Sequence, residues 1–292
     1  QLFLFLFLFL AVMSSDFAIS QFHFLRDLML VHGHWAYYRL SYFIIYFLYK
    51  NALFVMILFW YQIYCAYSNQ TPIDDVDLIL FGLIYTNLPI ICYAIFDKDI
   101  ERQVLINNPW LYEIGQNGVL FNQKIFLLNL LDLFWQSVII TFFPIYIYWA
   151  ISPSLYSLGV PIVSSCIIVV AFQLCLETFN WTGIHHFCYW LSLFIFFPIS
   201  EIFDLTPESL NYNRMGEALG DPLFYLTCLL VVVLSLTPRY TIRAFNQMFY
   251  PDLVTQAREH YIVRKKKRGS RVATETMELT ESQKGPLDSN QA

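Results

Sequence analysis

Long apolar runs separated by short polar segments dominate the chain. Each run has most of the roughly 20 apolar residues that an α-helix needs to cross a bilayer. Several runs are apolar on every side, as helices that face lipid or pack inside a bundle are. The pattern predicts an all-α, polytopic membrane helical bundle with six transmembrane helices, at about 40–66, 78–96, 125–150, 160–176, 184–203 and 223–240.

The composition separates the chain from ordinary soluble domains. It is 58% hydrophobic and 13% charged, whereas about 25% charged residues is usual in a soluble domain. The sequence contains no glycine-rich phosphate loop, nucleophile elbow or His-Glu-x-x-His motif. Its six cysteines show no Cys-x-x-Cys spacing, so the sequence predicts neither a disulfide framework nor a metal site.

The basic residues predict the orientation of the chain in the membrane. All 17 lysines and arginines except Lys50 and Arg214 lie before the first span, at or beyond the end of the last span, or in the long loop 97–124. Loops rich in lysine and arginine stay on the cytosolic side. We therefore expect an integral membrane protein with both termini in the cytosol, in the plasma membrane or an endomembrane such as the Golgi, the endosome or the ER.

The two ends of the chain differ from the membrane segment. Residues 2–10 alternate leucine and phenylalanine, which pyrimidine-only codons can encode, and we interpret residues 1–10 as a gene-model artefact. We expect 11–39 to be a cytosolic lead-in, 40–243 the membrane domain and 244–292 a basic, largely disordered cytosolic tail. The basic block 264–268 is read as a positive-inside anchor. Alternatively, this basic block docks to anionic lipid, and Ser270 and Thr274 beside it are candidate phosphorylation switches.

Lys50 lies near the middle of the first predicted span, where a charge is costly. At about 1.5 Å per residue it is roughly 15 Å from Leu40, too deep for its side chain to reach water easily. A charged group at that depth costs at least about 2.5–3.5 kcal/mol and is tolerated when it faces a bundle interior or a wet cavity. Lys50 is therefore a candidate transport-site residue.

The second predicted span is interrupted by Pro89. Proline lacks a backbone N–H and clashes with the carbonyl four residues back, here that of Tyr85. The freed carbonyl lies beside Thr86 and Asn87, which predicts a polar notch in an apolar helix. Interrupted helices line substrate sites in transporters, although a kink filled by neighbouring side chains explains the same pattern.

Other polar residues in the spans are interpreted as structural. We expect Asp132 to pair either with Lys50 or with a neighbouring helix. Gln136 and Gln173 are expected to be interhelical hydrogen-bond partners. Glu177 lies at the end of a span, near water, and is assigned no special role.

Several motifs in this order match one known family. They are SDFAI at 15–19, LVHGHW at 30–35, Tyr49-Lys50-Asn51, Thr86-Asn87-Leu88-Pro89, FDKD at 96–99 and LYEIGQ at 111–116. From residue 15 to about 250 the chain resembles the C-terminal membrane region of type IV P-type ATPases, the phospholipid flippases. The segments GVPIV at 159–163, LGDP at 219–222 and FYLTC at 224–228 are most similar to class V.

The resemblance implies a fold and a function. The six helices would be the last six of a ten-helix domain, and ATP hydrolysis in the parent would drive phospholipid from the exoplasmic to the cytosolic leaflet. Lys50 with Asn51 would handle the headgroup, and Thr86, Asn87 and Pro89 would belong to the same pathway. The family position of Asn87 usually carries a smaller hydroxyl residue, which leaves the headgroup open.

The resemblance also implies partners and limits. A two-span glycosylated accessory subunit would bind the parent, and ATP and Mg²⁺ would act there, with no cofactor in this chain. The family's Asp-Lys-Thr-Gly-Thr sequence is absent from these residues, so we expect a fragment that is not active alone. The alternatives are an inert or regulatory six-span stub and a self-contained carrier or channel. The short connection 67–77 shows no pore-loop signature, which argues against a channel.

Overall fold

Six long helices form the bundle in a computed structural model that describes residues 13–15, 17–151, 154–204, 214–251, 253–259 and 261–263. Each helix is long and apolar enough to cross a membrane, and the described ranges contain no strand, which confirms the predicted all-α class. Residues 1–10, Ser270 and Thr274 lie outside the described residues. The six helices are α1 (Phe24–Tyr64), α2 (Asp75–Phe96), α3 (Gln123–Tyr148), α4 (Leu155–Glu177), α5 (Gly183–Asp204) and α6 (Pro222–Phe249).

Helix α1 begins 16 residues before the predicted span. Its 41 residues give a length of about 60 Å, twice the roughly 30 Å of a hydrocarbon core. The sequence pattern did not predict this part of the helix, because residues 24–39 mix charged and apolar side chains. Val31 and Trp35 are nevertheless buried in a small separate core, and tertiary packing therefore supports the helix here. Their partners in that core are Ile100, Val104, Leu105 and Leu111.

The segment between α2 and α3 is fastened to α1. It contains short helices at Arg102–Asn107, Pro109–Tyr112 and Glu113–Gln116. His34 Nε2 lies 2.7 Å from Asp99 Oδ2, and Trp35 Nε1 donates to the carbonyl of Ile100 at 3.0 Å. Both contacts are buried, so this segment is part of the packed structure rather than a loose connection.

Asp97 fastens the end of α2 to the turn between α4 and α5. Its carboxylate accepts hydrogen bonds from the backbone N–H groups of Phe179 at 3.2 Å and Asn180 at 2.8 Å. Burial raises the pKa of Asp97, although these two N–H donors favour its ionised form. The turn is thereby held at the same end of the bundle as the segment between α2 and α3.

Helix α4 lies at the centre of the bundle. It contacts each of the other five long helices, and most of its side chains are buried. Its apolar residues are the middle of the main hydrophobic core. A helix that is apolar on most of its surface is expected in this position.

Candidate functional site

Helix α2 changes its geometry at the point that Pro89 predicts. An α-helical start at Asp75–Leu80 passes into a π-helical segment at Phe81–Tyr85, and a second α-helix follows at Asn87–Phe96. Thr86 between them has φ −122° and ψ −9°, which is not helical. Proline in a helix removes the bond to the carbonyl four residues back, and Ser192 of α5 donates its hydroxyl to that carbonyl, of Tyr85. The break is thus held open by a neighbouring helix.

Lys50 is fully buried and faces this break. Its ammonium Nζ donates to Thr86 Oγ1 at 3.0 Å and to Asn87 Oδ1. Thr86 in turn donates to the carbonyl of Phe81 at 2.7 Å, which leaves its oxygen free to accept from the lysine. The Lys50 ammonium also lies 5.4 Å from the centre of the Phe47 ring.

The partners of the Lys50 ammonium are neutral oxygens. Lys50 forms no ion pair with any residue that the structure describes, so no carboxylate neutralises it there. An ammonium has three N–H donors, and the two bonds above use two of them. The third donor can bind one more oxygen acceptor. A buried cation with a free donor, at an interrupted helix, is suited to an anionic group such as a phosphate.

The structure brings most of the predicted site residues together. Lys50 is hydrogen-bonded to Thr86 and Asn87, and Pro89 lies two residues after Asn87 in α2. Asn51 is half-buried and has no place in this hydrogen-bonded group. Successive residues of an α-helix are turned by about 100°, so Asn51 lies on a different side of α1 from Lys50.

A chain of side-chain hydrogen bonds leads away from Tyr49, next to the lysine. The Tyr49 hydroxyl donates to Gln136 Oε1, and Gln136 Nε2 donates to Gln173 Oε1 at 2.8 Å. Gln173 Nε2 donates to Asp132 Oδ2 at 3.3 Å. The predicted interhelical role of Gln136 and Gln173 is confirmed.

Asp132 pairs with Arg239 of α6 and not with Lys50. The distance from Arg239 Nη1 to Asp132 Oδ2 is 2.9 Å, and Arg239 Nη2 lies 3.1 Å from Glu177 Oε1. Arg243 also pairs with Glu177, at 2.9 Å. The interpretation of Glu177 as a residue without a special role is therefore wrong, because it joins α4 to α6. The sequence did contain a signal for the Asp132–Arg239 pair. A carboxylate at the depth of Asp132 needs a cation, and Arg239 lies at the matching end of α6.

Another buried charge cluster lies near the start of α2, and the sequence did not predict it. Arg214 begins the short helix Arg214–Gly220 between α5 and α6. Its guanidinium pairs with Asp204 of α5 at 2.9 Å and with Asp77 of α2 at 3.1 Å. The one signal in the sequence was that Arg214 is a basic residue on the side of the membrane that the positive-inside rule disfavours.

A cavity of about 760 Å³ lies at the end of the bundle that carries the segment between α2 and α3. Arg239, Arg243 and Arg258 line it together with Asp99. Burial lowers the pKa of Arg258, and its guanidinium stacks 4.2 Å from the centre of the Phe179 ring. Lys50 is not part of its wall. Among the described residues no group of three or more His, Cys, Asp or Glu side chains could hold a metal ion.

Comparison with known proteins gives one consistent family. The chain matches the family described as phospholipid-translocating P-type ATPase C-terminal, over residues 12–252. It is 37% identical to human phospholipid-transporting ATPase VA over 254 residues, which are 85% of this chain and 17% of that protein. Human phospholipid-transporting ATPase VD is 36% identical over 253 residues, 85% of this chain and 18% of the relative.

A plant relative is equally similar. Phospholipid-transporting ATPase 1 of Arabidopsis thaliana is 37% identical over 249 residues, 85% of this chain and 22% of the plant protein. The chain thus spans about a fifth of the length of these curated relatives.

Proposed function

Because this chain belongs to the phospholipid-translocating P-type ATPases and matches their C-terminal region, we propose that it supplies part of the path by which a phospholipid crosses from the exoplasmic to the cytosolic leaflet. The resemblance to class V that the sequence motifs indicated agrees with the similarity to ATPases VA and VD. The chain is an integral membrane protein, and its described residues include six helices long enough to cross the membrane. Both termini face the cytosol in this proposal, because the basic residues are concentrated on that side.

The observation that carries the proposal is the contact between Lys50 and the break in α2. A lysine that only stabilised the bundle would be expected to face a carboxylate. Lys50 instead faces the oxygens of Thr86 and Asn87, and these two bonds leave one of its donors free. A phospholipid phosphate is an anion with several acceptor oxygens, and its binding at the ammonium would compensate the charge.

The neighbouring residues have distinct parts in this proposal. Pro89 prevents the regular helical hydrogen bonds that would otherwise close the notch. Thr86 and Asn87 orient the lysine and give its ammonium polar surroundings when no lipid is bound. Asn51 lies outside the hydrogen-bonded group of Lys50, Thr86 and Asn87, and we assign it no contact with the headgroup. Other domains of the complete ATPase would use ATP and Mg²⁺ to drive the cycle, and a two-span accessory subunit would bind on the exoplasmic side.

Lys50→Ala tests the proposal in a complete phospholipid-transporting ATPase assembled with this segment. We expect lipid-stimulated ATP hydrolysis to fall at least about tenfold, because a charge-assisted bond to phosphate is worth more than about 1.4 kcal/mol. Phosphoenzyme formation from ATP should persist, since it does not need the lipid. The assay compares phosphatidylcholine, phosphatidylethanolamine and phosphatidylserine in detergent micelles.

Lys124→Ala is the matched control for Lys50→Ala. Lys124 is exposed near the start of α3, and its removal should leave lipid stimulation unchanged. A Lys50→Ala enzyme with normal protein levels and normal stimulation by all three lipids would return Lys50 to a structural role and contradict the proposal.

A further inference from the structure

The buried cluster around Arg214 connects α5 and the short helix that follows it to α2, which is distant in sequence. Arg214 Nε lies 2.9 and 3.0 Å from the two carboxylate oxygens of Asp204, and its Nη2 lies 3.1 Å from Asp77 Oδ2. The backbone N–H of Met215 donates to Asp204 Oδ2 at 3.1 Å. The side chains of Arg214, Asp77 and Asp204 are each at most 5% exposed. The cluster therefore fixes the short helix Arg214–Gly220 to the ends of α2 and α5.

Asp77 extends this cluster along α2 towards its break. Its other oxygen, Oδ1, accepts from Ser200 of α5 at 2.9 Å and from the Tyr85 hydroxyl at 3.4 Å. The Tyr85 ring also packs edge-on against Phe196, with 5.2 Å between ring centres. The Tyr85 carbonyl accepts from Ser192. Side chain and backbone of Tyr85 are thus both held, by Asp77 and by α5.

Tyr85 ends the π-helical segment, and the next two residues are the partners of Lys50. A π-helical turn takes an extra residue compared with an α-helical turn, so the side to which later residues point depends on whether that turn persists. Thr86 and Asn87 follow directly, and their oxygens accept from the Lys50 ammonium. Whatever fixes Tyr85 therefore fixes the two groups that orient the lysine.

We propose that the Asp77–Arg214–Asp204 cluster positions the headgroup site, by holding the π-helical segment so that Thr86 and Asn87 face Lys50. This inference rests on the proposed function of Lys50. Arg214 and Asp77 are positioning residues, since the contacts that link them to Lys50 run through Tyr85 and the break in α2. The cluster also links the site to the helix Arg214–Gly220, which connects α5 to α6 on the side that the proposed topology makes exoplasmic.

A purely structural cluster and a positioning cluster predict different kinetics. If the cluster only stabilises the fold, a variant lowers the amount of active enzyme, and the lipid concentration for half-maximal stimulation stays the same. If the cluster positions Thr86 and Asn87, that lipid concentration rises while the maximal rate changes little. The effect of a variant in the cluster must also disappear in the Lys50→Ala background, because positioning acts through the lysine.

The test uses Tyr85→Phe and Asp77→Asn in the complete ATPase, each alone and combined with Lys50→Ala. Tyr85→Phe removes one hydroxyl and keeps the ring, so the fold is retained. We expect the half-stimulating concentration of phospholipid to rise about threefold for Tyr85→Phe and about tenfold for Asp77→Asn, because the second change weakens a bond to a charged group. In the Lys50→Ala background neither change should shift the residual stimulation further.

Tyr225→Phe is the matched control. The Tyr225 hydroxyl donates to the Leu219 carbonyl of the same short helix at 2.9 Å, but it has no contact with the cluster. The Tyr225→Phe variant should leave the half-stimulating concentration of phospholipid unchanged. A shift in Tyr225→Phe equal to that in Tyr85→Phe would mean that any loosening of the short helix has this effect, and would overturn the inference.

The outcomes separate this inference from the proposed function. Normal lipid stimulation in Lys50→Ala refutes the proposed function itself. Impaired stimulation in Lys50→Ala, with Tyr85→Phe and Asp77→Asn either unchanged or equally effective with and without the lysine, refutes only the positioning role. A rise in the half-stimulating concentration that needs Lys50 supports both.

Discussion

Arg239→Ala is expected to destabilise the bundle by about 3–5 kcal/mol. This is the range for removing one partner of a buried ion pair, which leaves the other charges unpaired. Arg239 is 17% exposed and pairs with Asp132 of α3 and Glu177 of α4, which are 12% and 19% exposed. It also donates to Asn129 at 3.0 Å. One guanidinium therefore holds three helices together. Its loss leaves the Asp132 carboxylate without a cation, while Glu177 keeps its pair with Arg243.

The expected destabilisation is measured on the protein in detergent micelles, as the loss of the monodisperse form on heating. Arg102→Ala is the matched control, because Arg102 pairs with Asp27 at 2.5 Å but is 56% exposed, and exposed pairs contribute about 0–1 kcal/mol. A double variant with Arg239→Met and Asp132→Asn should recover part of the lost stability, since Glu177 keeps its pair with Arg243 and no charge is then left unpaired. Equal midpoints for Arg239→Ala and Arg102→Ala would contradict the account.

Gly159→Ala is expected to prevent α4 from packing in its present position. A Cβ atom at Gly159 would lie 1.8 Å from the carbonyl oxygen of Pro72, which is backbone and cannot turn away. Overpacking a tight contact costs typically about 1–3 kcal/mol, and more where the backbone has to shift. Because α4 contacts all five other long helices, a shift at its start disturbs the whole core.

The accumulation of folded protein in membranes measures this effect. Gly183→Ala is the matched control, because no atom of a neighbouring element lies within 4 Å of a Cβ at that position. We expect Gly159→Ala to lose most of the monodisperse protein after detergent extraction and Gly183→Ala to lose none. Similar yields for the two variants would show that the 67–77 connection moves freely relative to α4.

The helices and the break in α2 could be predicted because their signals are local. Apolar length alone indicates a span, and the consequence of Pro89 for the Tyr85 carbonyl follows from the chemistry of proline. The early start of α1 could not be predicted in this way. It depends on Val31 and Trp35 packing against the segment after α2, which no property of residues 24–39 reveals.

The charged contacts were less predictable, because their partners are distant in sequence. Asp132 and Arg239 are 107 positions apart, and Asp77 and Arg214 are 137 positions apart. A costly charge in a span indicates that a partner exists, but only the packing of α3 and α6 decides that Asp132 pairs with Arg239. The same reasoning found Lys50, but it did not identify Thr86 and Asn87 as the partners of its ammonium.

Transport itself tests the central claim, that Lys50 at the break in α2 handles the phospholipid. The measurement is the ATP-dependent movement of fluorescent phosphatidylcholine, phosphatidylethanolamine and phosphatidylserine to the cytosolic leaflet. It compares Lys50→Met with Lys124→Met in the complete ATPase, at equal phosphoenzyme levels. The account predicts that Lys50→Met lowers transport of the preferred lipid at least about tenfold and that Lys124→Met does not. Equal transport by the two variants would contradict it.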